Sequence, residues 1–252
     1  MIDPWLMLLA AAAGLVGGAM NALAGGGTFA TLPVLLALGL PANVANATSN
    51  VALLPGAATS AWTLRDELGP VGTLDWRVIA AVTFVSGFVG SLLLVITPAS
   101  TFDVIVPWLV LYAFVLLAFG KRASDWLASR VSIGTGTLLV VQVLLGIYGG
   151  YFGGGVGLMM TATYGLLAGR DPRSLFAPRT MMLAVANAAA AIVFVAAGMV
   201  TWWACVPMLV GSVAGGWVGA HVGKRLAPAA VRVWTLLVTG ATAIVFFVRA
   251  YG

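Results

Sequence analysis

The 252-residue chain is 62 % hydrophobic and only 8 % charged, with a mean hydropathy of +1.08, against roughly 25 % charged residues in ordinary soluble domains. That composition excludes a water-soluble domain. The formal charge of +5 is spread over short loops rather than gathered into the patch or tail that nucleic acid requires, and a single cysteine (Cys205) and a single histidine (His221) leave no internal disulfide, no CxxC pair and little metal or cofactor chemistry.

Apolar runs of about twenty residues follow one another from end to end, so 1–252 reads as one transmembrane domain. The start, "MIDPWLMLLAAAAGLVGG", carries Asp3 where a signal peptide has a basic region, and it reads as the first mature helix. Stretches such as "VIAAVTFVSGFVGSLLLVI" (78–96) are apolar all round rather than alternating, which predicts helices and not the strands of a membrane barrel. In chain order the predicted segments are 5–24, 28–40, 50–64, 76–96 and 104–119, then 132–152, 156–168, 179–197, 202–221 and 230–249. The fold class is therefore an all-α, polytopic helical membrane protein of about eight to ten segments.

The second set of segments repeats the first. The glycine triplet 25–27 matches 153–155, Gly17-Gly18 matches Gly149-Gly150, and Ala-x-x-Thr ending at Thr48 matches Ala177-x-x-Thr180. Trp76 pairs with Trp202, Gly87 and Gly90 with Gly216 and Gly219, and Pro98 with Pro228. This gives repeat 1 over 1–120, a linker over 120–131 and repeat 2 over 132–252. An odd number of segments per repeat inverts the second one. Loop charges agree: 41–50 has no basic residue whereas its counterpart holds Arg170, Arg173 and Arg179, and the next two loop pairs alternate in the same way. With strict alternation, every basic residue except Arg249 falls on the cytoplasmic side, placing both termini outside the cytoplasm.

The segments after the triplets, about thirteen residues or roughly 20 Å of helix, are short for a core about 30 Å thick. Three adjacent glycines there predict a broken or re-entrant helix, which membranes tolerate only where protein or a cavity satisfies the freed backbone groups. The helix that restarts offers N–H groups and the positive end of its dipole to an anion, and two opposed breaks match the substrate site of an inverted-repeat transporter. Close helix packing is the alternative use of glycine, and it is the reading taken for Gly87, Gly90, Gly216 and Gly219.

The candidate substrate-binding residues are Asn21, Gly25, Gly26, Gly27, Thr28, Thr48, Ser49 and Asn50 in the first repeat and Gly153, Gly154, Gly155, Arg179, Thr180 and Asn187 in the second. Asn, Thr and backbone N–H donate to oxyanions, and Arg179 adds a bidentate fork. Each has a plainer role open to it: Thr48, Ser49 and Thr180 as helix caps, Asn187 as an interhelical bridge, Arg179 as a positive-inside charge. His221 and the tryptophans Trp76, Trp108, Trp202 and Trp203 read as interfacial. Asp66, Glu67, Asp75, Asp103 and Asp171 fall in loops, so no carboxylate is available within the membrane to relay protons.

Gly-Gly followed by Gly-Gly-Gly-Thr, Pro33 and "ANATSN" in one half, with "GGYFGGGVG" and "APRT" in the other, resembles the TauE/SafE family of sulfite exporters over essentially the whole chain. The resemblance implies a prokaryotic inner-membrane permease with two repeats and about eight spans, associated with sulfite, thiosulfate or organosulfonates. It also implies that the triplets and the Thr48 and Thr180 neighbourhoods line the translocation site. "APRTM" stands where the family often has Gly-Thr-Ser, so Arg179 replaces a small residue.

The leading expectation is thus a secondary transporter of a small anion, partnered by the lipid bilayer, with proton or sodium as the open choices for a coupling ion and a homo-oligomer possible. The competing readings are a channel-like facilitator for another small anion and a membrane scaffold subunit. An enzyme is disfavoured because Ser/His/Asp clusters, HExxH and paired intramembrane carboxylates are missing from the sequence.

Overall fold

A computed structural model describes residues 3–128, 134–168, 174–223, 225, 226 and 228–252, with backbone alone for 120–128, 166–168 and 228. Arg130, Arg170, Asp171, Arg173 and Lys224 lie outside the described residues, as does much of the linker. The described residues form ten α-helices: α1 (Pro4–Leu23), α2 (Thr28–Ala37), α3 (Ala42–Thr63), α4 (Trp76–Ile96), α5 (Ala99–Ala128), α6 (Thr135–Tyr151), α7 (Val156–Ala168), α8 (Phe176–Ala196), α9 (Trp202–Gly223) and α10 (Pro228–Tyr251). Six of them are long and apolar enough to cross a membrane. The protein is an all-α, multi-pass membrane protein.

Local sequence sets several of the ends. Asp3 caps α1 by accepting from the Trp5 N–H (2.9 Å) with Pro4 in the first turn, and Asp75 caps α4 by accepting from the Arg77 N–H (2.7 Å). Pro98 stops α4, and its carbonyl accepts from Phe102 in the first turn of α5. This turn is polar, which is why hydropathy alone starts the segment late, at 104. Asp103 consequently sits in a helix and not in a loop.

The larger correction concerns 41–50, which is not a loop. α3 begins at Ala42, and "ANVANATSN" forms its first turns. These residues are too polar to face lipid, but Asn46, Thr48, Ser49 and Asn50 are buried against other helices. A helix surrounded by protein need not be apolar.

Side-chain contacts give the helix directions. Gly14 lies against Met208 and Gly18 against Ser212, so α1 and α9 run parallel. Gly56 and Ser60 meet Ser212 and Gly216, adding α3 to the same direction. Gly146 meets Ser86 and Gly90 meets Ile147, so α4 and α6 are parallel to each other, and Thr83 and Gly87 reach Met182 and Ala186 of α8 in the same sense. Asn43 at the start of α3 donates to the Thr97 carbonyl at the end of α4, which sets these two groups of helices antiparallel.

Exchanging α1–α5 with α6–α10 maps nearly every principal packing pair onto another: α1/α9 onto α6/α4, α3/α9 onto α8/α4 and α2/α10 onto α7/α5, with α3/α8 and α5/α10 mapping onto themselves. The directions also gather Arg65, Arg77, Arg225 and Arg232 at one end of the bundle. Arg249 is at the other end, where it pairs with Asp103 at 4.0 Å.

The helices pass close because glycine faces backbone. A Cβ on Gly18 would lie 2.8 Å from the Ser212 Cα, and one on Gly90 would strike the Ile147 carbonyl. Gly216 against Gly56 and Gly219 against Ala19 have the same packing role, whereas Gly87 meets Ala189 at an ordinary 3.5 Å. Gly18→Ala is therefore expected to destabilise by about 1–3 kcal/mol. Gly165→Ala, with nothing within 4 Å, is expected to be neutral or stabilising by up to about 1 kcal/mol; thermal unfolding of the two variants in detergent checks the pair.

Candidate functional site

α1 and α6 each end in the same backbone device. Ala24 and Phe152 are the caps, and Gly25 and Gly153 follow with φ of +76° in both, a conformation open to glycine without strain. The Gly25 N–H turns back to the Met20 and Asn21 carbonyls, and the Gly153 N–H to Tyr148. The chain then doubles back, so that Thr31 of α2 packs on Gly17 and Val156 of α7 on Gly149. Both breaks are helical hairpins.

The two breaks meet inside the bundle. Gly25 lies directly on Gly157 in the first turn of α7, with the Gly25 Cα 2.6 Å from where a Gly157 Cβ would stand. Reciprocally, Gly155 lies on the Phe29 ring in the first turn of α2. Two helix N-termini from opposite halves thus converge. Among the described residues, the N–H groups of Gly26, Thr28, Gly154, Gly155 and Gly157 have no hydrogen-bond partner. Such groups with a helix dipole behind them attract oxyanions.

The Phe29 and Phe152 rings, with centroids 6.4 Å apart, close over this junction. A Cβ on Gly26 would lie 3.1 Å from Phe29, and one on Gly154 would lie 2.6 Å from Phe152 and 3.0 Å from Phe29. The backbone faces of the triplets are covered by aromatic carbon. Neither phenylalanine was singled out by the sequence, where an aromatic in an apolar run carries no distinguishing signal.

The polar candidates divide by what they hold. Asn21 Oδ1 accepts from the Gly27 N–H (2.6 Å), pinning the first triplet to α1. Thr31, a residue the sequence reading passed over, shares a 2.5 Å hydroxyl contact with Ser49. Thr48 accepts from the Thr201 N–H at the start of α9 (3.1 Å), and Thr180 donates to the Phe176 carbonyl one turn back (2.8 Å). Both lie inside helices and do not cap their own. Asn50 places its amide on Gly153, its Nδ2 2.8 Å from a Cβ built there. Asn187 is buried and without a partner among the described residues.

Arg179 is 4 % exposed and crosses to the other half. Nη2 donates to the Ala22 carbonyl (3.0 Å), both terminal nitrogens reach the Leu23 carbonyl (3.3 and 3.4 Å), and Nη1 reaches Thr161 (3.5 Å). The guanidinium also lies 4.6 Å over the Phe176 ring. It is a charged cap on the negative end of α1. Among the described residues, Nε has no partner.

This geometry bears on what the chain is related to. A family model described as "Sulfite exporter TauE/SafE" matches residues 10–246. The chain belongs to the TauE/SafE family. Its relatives include the "Probable membrane transporter protein YfcA" of Escherichia coli K12, 27 % identical over 228 residues covering 90 % of this chain and 82 % of the relative. A "Probable membrane transporter protein" of Haemophilus influenzae is 28 % identical over 235 residues, covering 90 % of each chain. A third, from a Sinorhizobium species and called "Probable membrane transporter protein ORF9", is 30 % identical over 222 residues, covering 86 % and 81 %. No solved structure matches the chain.

In this TauE/SafE chain the Arg179 bonds make a direct prediction. Arg179→Ala strands the buried Ala22 carbonyl and the part-buried Leu23 carbonyl and should destabilise by about 1.5–3 kcal/mol with no anion present, whereas Arg179→Lys should keep part of the cap. Equal stability of Arg179→Ala and the parent in thermal unfolding would rule out the capping role.

Proposed function

We propose that this TauE/SafE protein is a secondary transporter that moves a small sulfur-containing anion, such as sulfite, thiosulfate or an organosulfonate, across a prokaryotic inner membrane by alternating access. The observation that carries the reading is the meeting of two oppositely directed helix N-termini, with free N–H groups, inside the bundle. Membership of a transporter family supports transport, and the description of that family as sulfite exporters supports the sulfur class.

In this reading the two halves are inverted repeats, 1–120 and 132–252, and both termini lie outside the cytoplasm. The antiparallel courses of α1 and α6, and the collection of described arginines at one end, support that placement. The substrate is held by the backbone of the two triplets and Thr28, with Asn187 and the Asn50 amide at the margin. Phe29 and Phe152 close the site to water and swing aside as one half rocks against the other. A facilitator would need a continuous opening at this junction, and the two rings speak against one.

Thermal unfolding against sulfite, thiosulfate, sulfate, an organosulfonate, nitrate and chloride at matched ionic strength is the test. A ligand bound only by the folded form stabilises it by about 2.7 kcal/mol at a hundred times its dissociation constant. We expect a saturable shift confined to sulfur oxyanions, and counterflow of that anion in proteoliposomes; flux without saturation or counterflow would mark a channel. Single cysteines at Pro41 and Ser174, both exposed, in a Cys205→Ser background should label from opposite sides of the membrane. Labelling of both from one side would refute the inversion.

A further inference from the structure

The two breaks agree at their first glycine and differ at their third. Gly25 and Gly153 both have φ of +76°, but Gly155 has φ of +77°, whereas the equivalent Gly27 has φ of −59° and opens α2 in ordinary helical backbone. The peptides that lead into these third glycines are held in different ways.

In the first break both ends of the Gly26–Gly27 peptide are committed. The Gly27 N–H donates to Asn21 Oδ1 (2.6 Å), and the Gly26 carbonyl accepts from the Phe29 N–H (3.1 Å). In the second break Gly149 stands where Asn21 does, four residues before the triplet, and has no side chain to accept from Gly155. The Gly154 carbonyl is taken instead by the Tyr148 hydroxyl, which donates to it at 2.8 Å. That bond fills the place of the Phe29 N–H, and Gly157, the counterpart of Phe29, keeps its own N–H unbonded among the described residues. In a trans peptide the carbonyl and the following N–H point opposite ways, so the hydroxyl also turns the Gly155 N–H away from Tyr148.

The side chains carry the same distinction. Asn21 presents an acceptor to the first triplet, its Oδ1 2.7 Å from where a Cβ on Gly27 would stand. Asn50 presents a donor to the second, its Nδ2 2.8 Å from where a Cβ on Gly153 would stand. Asn50 is 2 % exposed and its amide makes no hydrogen bond among the described residues. An oxyanion is drawn to the donor and repelled by the acceptor.

Resting on the anion-binding reading above, we infer that the second break holds the greater share of the anion, through the Gly154, Gly155 and Gly157 N–H groups with Asn50 Nδ2 at the edge, and that Tyr148 positions them. Its hydroxyl stops the turn from closing on itself. Without it the Gly154 carbonyl would draw the Gly157 N–H, as the Gly26 carbonyl draws that of Phe29, and the Gly155 N–H would lose its fixed direction. Rings edge-on to Tyr148 keep the hydroxyl in place, Phe152 at 5.9 Å and Tyr112 at 6.3 Å. Because Phe152 also covers the junction, one tyrosine touches both the cover and the donors. The Gly26 and Thr28 N–H groups of the first break add the lesser share.

The test is thermal unfolding of the full chain in detergent, titrated separately with sulfite, thiosulfate and methanesulfonate at ionic strength held constant with chloride. The readout is the anion concentration that gives half the maximal shift, referred to each variant's own anion-free unfolding temperature. A hydroxyl with a purely structural role lowers that temperature and leaves the half-maximal concentration alone. For whichever anion stabilises the parent, Tyr148→Phe is expected to raise that concentration about tenfold or more, and Asn50→Asp, which sets an acceptor in place of the donor, at least as much. Tyr112→Phe, at an exposed ring beside Tyr148, should leave it unchanged. An unchanged half-maximal concentration in Tyr148→Phe overturns the positioning role, and an unchanged or lower one in Asn50→Asp overturns the assignment to the second break. If Asn50→Asp fails to fold, Asn50→Leu, which removes the donor without adding charge, takes its place. No anion shift in the parent would instead remove the anion reading of the junction, and this inference with it.

Discussion

A helix that stops within a bilayer leaves N–H groups or carbonyls that no water can reach, and each must be answered by protein or ligand. The structure turns on that constraint. α1 and α6 both end at a glycine triplet within the bundle, and the molecule is arranged around the four helix ends that result. Asn21, Arg179 and Asn46 reach these ends from one or another helix. The remaining N–H groups are gathered at a single junction, where a negative ligand could answer them.

Bringing the breaks together demands close packing everywhere else. α3 and α8 lie on each other at the centre, flanked by the parallel pairs α1/α9 and α4/α6, and these contacts are backbone on backbone at glycine. In lipid there is no hydrophobic drive between helices, so dispersion and complementary shape hold them. The arrangement also frees α3 from lipid, which lets it carry Asn46, Thr48, Ser49 and Asn50 at membrane depth. Polar side chains at a junction and glycine at the interfaces are two results of one packing scheme.

The halves resemble each other in contacts and differ in charge. An arginine from α8 caps the first break, and an asparagine from α3 the second. The electrostatic surroundings of the two breaks are therefore unequal, with a guanidinium behind one and a neutral amide behind the other.

Much of this was legible in the sequence. Apolar length and all-round hydrophobicity gave helices and their number, because burial in lipid requires both, and the glycine triplets marked the breaks because no other residue takes φ of +76° freely. Hydropathy failed at 41–50 for a physical reason: it measures exposure to lipid, and α3 is enclosed by protein. Read as helix, "ANATSN" would have shown Asn46 and Asn50 on one face. The sequence by itself determined the class of fold, the places where helices break and a charge pattern that alternates between loops. Only the tertiary structure decided that Gly25 meets Gly157, that Phe29 and Phe152 cover the junction, and that Arg179 spends its terminal nitrogens on a helix end more than 150 residues away in the chain. Those contacts join segments remote in sequence, and no local propensity encodes which distant backbone a side chain will cap.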